Sequence, residues 1–103
     1  MRKAKFGFCL PAWTGAGPWD HQLDYKLVRN ASVTAERLGY DSIWVPDHVM
    51  FGHNNDNLEA WTLLTAISQV TERVRLGTLV TCTSHRPPAM LAKTAATLDI
   101  VSE

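Results

Sequence analysis

A parallel α/β architecture follows from three features of this 103-residue sequence. Short apolar runs alternate three times with longer stretches of helical periodicity. The connections from strand to helix are long, whereas those returning from helix to strand are short. The second run, "DSIWVP", is nearly continuous in apolar character, the pattern of a strand buried on both faces of a parallel sheet. Such alternation implies parallel strands joined by right-handed crossovers. Strands are expected at about 5–10, 41–46 and 74–81, and helices near 23–38, 58–70 and 88–98.

In the first strand Phe6, Phe8 and Leu10 alternate, and Pro11 then removes a backbone donor and closes the run. The loop "AWTGAGPWDHQ" that follows is rich in Gly, Pro and Trp. Leu27, Ala31, Ala35 and Leu38 recur at helical spacing, and Gly39 supplies the stop. After the second strand, Asn57 is placed to cap a helix whose Ala60, Leu63, Leu64 and Ile67 share one face. "VRLGTLVTC" is the third strand. Pro87 and Pro88 suit a helix entrance, and Leu91, Ala95 and Leu98 follow along its buried face.

The composition belongs to a soluble globular chain, since 46% hydrophobic and 19% charged residues can build one small core. Ten basic residues balance ten acidic ones, and no basic run is present to neutralise phosphates or anionic lipid. Nucleic-acid and membrane partners are therefore not expected. The apolar part of "MRKAKFGFCLPAW" is too short, and too soon broken by Pro11, for a secretory signal or a spanning helix, so a cytoplasmic location is expected. Cys9 and Cys82 have neither CxxC spacing nor a neighbouring histidine cluster; they are read as thiols, with no disulfide and no metal site.

In a parallel α/β fold, chemistry gathers in the loops at the carboxyl ends of the strands. Here those loops are "PAWTGAGPW", "PDHVMFGHNND" and "TCTSHRPP". Neither GxGxxG nor GxxxxGK[ST] occurs, and no Ser-centred elbow is present, which argues against ordinary nucleotide binding and hydrolysis. Asp47 and His48 form the sharpest pair. An imidazole near neutral pKa can exchange a proton, and an adjacent carboxylate can orient it or hold a ligand; equally, Asp47 can cap a turn and His48 can be a solvated loop residue. His53 and His85 read as exposed loop histidines. Trp44 and Trp61 fall on a strand and a helix and read as packing residues, whereas Trp13, just past the first strand, is placed either to wall a planar ligand or to anchor its loop. Thr78, Thr81 and Thr83 suit a strand by β-branching, and Gly77 within that strand marks a bulge or a close backbone approach.

"AERLGYDSIWVPDHV", "EAWTLLTAISQVTERVRLGTLVT" and "RPPAMLAKTAATLDIVS", in this order and at these separations, resemble the N-terminal part of bacterial luciferase-like monooxygenases. The likeness is to the subgroup that uses the deazaflavin coenzyme F-420 in place of FMN. The resemblance implies a TIM barrel of which about three of the eight (β/α) units are present, with residues 1–103 forming a single N-terminal portion of that domain. It also implies redox chemistry on a small organic substrate, with F-420 or FMN bound at the carboxyl ends of the strands. His48 matches the family's proton-transferring histidine, and Asp47 its pocket aspartate. Leu79–Val80 matches a non-proline cis peptide behind the cofactor ring, so Leu79, Val80, Thr81 and Cys82 are cofactor-binding candidates beside Asp47; Trp13 is the substrate-wall candidate. Because a complete barrel takes about 250 residues, a truncated product or fragment is expected, and its open strand edges favour a homo-oligomer. Two other readings compete: a catalytically silent fragment that self-associates, and a small flavodoxin-like binding module.

Overall fold

Three short strands and three helices alternate along the chain in the computed structural model, which describes residues 4–15 and 22–103. They are β1 (Gly7–Cys9), α1 (Tyr25–Arg37), β2 (Ser42–Val45), α2 (Ala60–Ser68), β3 (Arg75–Thr78) and α3 (Pro88–Val101). The sheet has the order β1-β2-β3, with both pairings parallel. The expected alternation and strand direction are thus observed. The stretch 16–21 of the first strand-to-helix loop, including Trp19, lies outside the described residues.

Helix α1 begins at Asp24, whose carboxylate accepts from the Lys26 amide at 2.8 Å. Val28, Ser32 and Ala35 are its buried positions, and the Ser32 hydroxyl donates to the Val28 carbonyl at 2.8 Å, so the buried polar group is satisfied. The expected face is rotated: Leu27 and Ala31 are half-buried and Leu38 is exposed. Leu38 is the C-cap, beyond the last helical turn. Gly39 adopts φ 87°, its amide donates to Glu36 O and that of Tyr40 to Ala35 O, the paired bonds of a Schellman stop. The Glu36 carboxylate then takes the amides of Glu72, Arg73 and Val74, pinning the turn before β3 to this end of α1.

Helix α2 is capped by Glu59, whose carboxylate accepts from Trp61 N and Thr62 N at 3.1 and 2.7 Å. Asn57, the expected cap, lies too far upstream; its side chain instead donates to the His48 carbonyl at 2.8 Å. Ala60, Leu63, Leu64 and Ile67 are buried as expected and pack with Leu10, Val28, Ile43 and Val45 in one core. Helix α3 offers its expected face only in part, since Leu91, Ala95 and Leu98 are half-buried and none of its residues is fully buried.

The two faces of β2 differ. Ile43 and Val45 are buried beneath the helices, but Trp44 on the other face is 36% exposed, so this strand is not covered on both sides among the described residues. The indole lies across its neighbours. A Cβ placed on Gly7 would come within 2.4 Å of Trp44 Nε1, and one on Gly77 within 2.7 Å of Cζ3. Gly77 therefore serves a close approach by a side chain, neither the bulge nor the close backbone approach expected.

Candidate functional site

Strand β2 ends at Val45, and Pro46 turns the chain so that Asp47 points inward and His48 outward. Asp47 is 2% exposed, whereas His48 is exposed. Strand β3 ends at Thr78, earlier than expected. Leu79 N still donates to Val45 O at 2.8 Å, but the Leu79–Val80 bond is cis, as the resemblance implied, and residues 79–82 leave the sheet as a turn. Thr78 and Thr81 share a hydroxyl hydrogen bond across that turn. The two strand ends are then tied together, because the Cys82 amide donates to Asp47 Oδ2 at 2.9 Å.

Arg86 completes this tie. Its Nε donates to Asp47 Oδ2 at 2.9 Å, and its Nη2 reaches both Asp47 Oδ1 and Glu59 Oε1. Burial alone would raise the Asp47 pKa; the bonds from Arg86 and from the Cys82 amide outweigh it and hold the carboxyl below its ordinary range. Glu59 is lowered in the same way, against its own desolvation, by Thr62, Arg86 and Trp61. The guanidinium is raised above its usual value by Asp47 first, and Glu59 adds to this. Both carboxylates and the arginine are therefore charged at neutral pH.

The imidazole of His48 is stacked on Phe51, with ring centroids 4.5 Å apart and planes 14° from parallel. Phe51 in turn meets Trp13 edge-on at 5.4 Å. Trp13 is held by its bridge to Asn57, and Thr14 N donates to Asp56 O at 3.0 Å, so the loop after β1 is laced to the loop after β2. Gly52 permits that lacing, with φ 84° and no room for a Cβ beside Thr14 O.

Asp47, His48, Leu79, Val80, Thr81 and Cys82 line one shallow cavity of about 420 Å³, together with Thr83 and Ser84. Its floor is apolar and open, Leu79 being 51% and Val80 71% exposed. The Cys82 thiol, bonded to Ser84 Oγ at 3.0 Å, is held below its ordinary pKa by the Ser84 side chain and backbone. Trp13 stands apart from this cavity and reaches His48 through Phe51 and through its bridge partner Asn57, whose side chain donates to the His48 carbonyl. An apolar ledge bordered by an exposed imidazole suits one face of a flat heteroaromatic ring, with a proton-exchanging group at its side. Asp47 presents its oxygens to Cys82 and Arg86. Arg86, Glu59 and Phe51 are the members that sequence reasoning missed; a carboxylate set among apolar strand residues needs a cation, and Arg86 is the first arginine after the carboxyl end of β3.

The profile of the luciferase-like monooxygenases matches residues 4–103. The chain belongs to that family. Among curated members, this luciferase-like chain is 36% identical over 74 residues to an F420-dependent glucose-6-phosphate dehydrogenase from Amycolatopsis mediterranei, covering 69% of the chain and 22% of that relative. It is 37% identical over 95 residues to the enzyme of that name from Segniliparus rotundus, covering 89% and 28%. It is also 31% identical over 96 residues to a phthiodiolone/phenolphthiodiolone dimycocerosates ketoreductase from Mycobacterium kansasii, covering 74% and 26%. Among solved structures, an F420-dependent secondary alcohol dehydrogenase in complex with an F420-acetone adduct superposes with a TM-score of 0.72 at 29% identity, over 94% of this chain and 28% of that one. A monooxygenase from Streptomyces bottropensis superposes at 0.71 and 26% identity, over 96% and 30%. The chain thus spans less than a third of the length of these relatives.

Proposed function

We propose that this chain forms the first three units of a (β/α)8 barrel in a deazaflavin-dependent oxidoreductase that interconverts a small alcohol and its carbonyl compound. The observation that carries the reading is the single cavity joining His48 to the exposed Leu79–Val80 ledge. Relatives named as F420-dependent dehydrogenases and a ketoreductase support the cofactor and the substrate class. Leu79, Val80, Thr81 and Cys82 hold one face of the ring. A bound deazaflavin supplies hydride exchange with the substrate carbon. The chain's own part is to seat that ring, to take up or return the hydroxyl proton at the His48 imidazole, and to keep His48 in place through Phe51.

The barrel reading is supported by the share of each relative that is matched and by the outer edges of β1 and β3, which have no strand partner among the described residues. Reading the coding sequence past Glu103 tests it: an in-frame continuation is expected. The same open edges, with exposed Phe6 and Leu38 nearby, favour self-association of the isolated chain, and sedimentation at micromolar concentration should show a dimer or larger species. A cytoplasmic location is part of the proposal; Cys9 and Cys82 are both unpaired thiols, and no described helix is long and apolar enough to cross a membrane. The functional test is titration of the complete protein with deazaflavin and, separately, with FMN, followed by absorbance. Tighter deazaflavin binding is expected; binding of neither would overturn the assignment.

A further inference from the structure

Both salt bridges among the described residues belong to Arg86, a residue outside the cavity floor and outside the proton path proposed above. Its guanidinium occupies a junction. On one side is Asp47, 2% exposed and covalently next to His48. On the other is Glu59, whose carboxylate also receives the first amides of α2 from Trp61 and Thr62. The oxygen of Asp47 that meets Arg86 Nε also accepts the Cys82 amide, two residues beyond Val80. Arg86 itself stands immediately before the Pro87 cap of α3.

Consequently one side chain connects the carboxyl end of β2, the entry of α2, the turn after β3 and the entry of α3. We propose that Arg86 is a positioning residue of the site: acting through Asp47, it sets the distance between the His48 imidazole and the Leu79–Val80 ledge. The geometry favours Arg over Lys, because Nε and Nη2 engage different oxygens of Asp47 while Nη2 also meets Glu59; an ammonium supplies one point of charge and lacks the planar fork. Asp47 then acts on the cofactor site by holding its two walls together. Loss of Arg86 leaves a buried carboxylate facing Glu59, and the wall carrying Val80 is free to move away from His48.

This inference rests on the functional reading above, and its test separates the two. In the complete protein, Arg86→Met, Arg86→Lys and the double variant Arg86→Met/Asp47→Asn are compared with the parent for thermal stability, deazaflavin affinity, kcat and KM. A displacement of about 1 Å between reacting groups costs roughly 100-fold, so folded Arg86→Met should lose about 10- to 100-fold in kcat/KM. Arg86→Lys should recover only part of this. Free guanidinium well below denaturing concentration should restore activity to Arg86→Met, a response that general destabilisation does not produce. If Arg86→Met fails to fold, the double variant removes the unpaired buried charge while keeping an acceptor for the Cys82 amide, and the same kinetic loss is expected. Parent-like kcat/KM in either folded variant would overturn the inference. If the parent itself binds no deazaflavin, the functional reading fails, and hydrogen exchange then decides the positioning role: at least about tenfold faster exchange of the Cys82 amide in Arg86→Met supports it, and unchanged exchange refutes it.

Discussion

Gly77→Ala should reverse the sign of its effect on stability according to whether Trp44 is present. The added Cβ would lie 2.7 Å from Trp44 Cζ3 and 3.0 Å from Cε3, whereas carbon atoms rest at roughly 3.5–4.0 Å. The indole must therefore move by about 1 Å. It is not free to do so, since Nε1 donates to Ser42 Oγ at 2.9 Å and the same ring is already against Gly7 on the opposite side. Off-rotamer strain and loss of that hydrogen bond together cost about 1–3 kcal/mol, with the lower half expected because one edge of the ring is in solvent. Without the indole the clash vanishes. Glycine within a strand is about 0.5–1 kcal/mol worse than alanine for entropic reasons, so Gly77→Ala in a Trp44→Ala background should stabilise by about that amount. Urea unfolding of the four proteins in this cycle gives the coupling, expected at about 2 kcal/mol. A cost of Gly77→Ala that is the same in both backgrounds would refute the packing of Trp44 across β3.

The Asp47 network predicts a specific acid response. Its folded pKa is depressed below the unfolded value of about 3.9, so its stabilisation is complete above that value and is lost as pH falls through the folded one. Asp47→Asn should thus be less stable than the parent at pH 7, by about 2–3 kcal/mol, and the gap should narrow progressively as pH falls below about 3.9; urea midpoints at neutral and at acid pH measure this, and a constant gap would contradict it. Gly52→Ala should cost about 2 kcal/mol or more, because an L residue is strained at φ 84° and its Cβ would sit 2.5 Å from the backbone oxygen of Thr14; parent-like thermal unfolding would contradict the lacing of the two loops.

Local signals carried the fold further than the site. The helical repeat at Ala60, Leu63, Leu64 and Ile67, the stop at Gly39 and the strand-breaking Pro11 and Pro46 act within a few residues of where they stand, so the order of elements was legible. Gly77 signalled an irregularity or a close backbone approach, whereas what meets it is the Trp44 side chain, a cross-strand neighbour that glycine alone does not announce. Leu38 and the cap of α2 were misread because one position decides them: Leu38 falls just past the last turn, and Glu59 rather than Asn57 reaches the free amides. The cavity was legible through the family pattern, which aligned Asp47, His48 and Leu79–Val80. Arg86 was not, because an ion pair across 39 residues has no periodicity, and neither was the Phe51 stack, which depends on how the loop folds back on His48.

The central claim is that His48 exchanges a proton beside a ring seated on Leu79 and Val80. Its most direct test is steady-state reduction of the deazaflavin by an alcohol substrate in the complete protein and in His48→Ala, with cofactor affinity and unfolding measured separately. A positioned acid–base group contributes about 10²- to 10⁴-fold, whereas an exposed side chain alters stability by only about 0.5 kcal/mol. His48→Ala should lose at least about 100-fold in kcat while cofactor affinity stays within a few-fold and the unfolding midpoint is nearly unchanged. Parent-like kcat in that variant would return His48 to a solvated loop residue and leave the cavity without its proton-exchanging group.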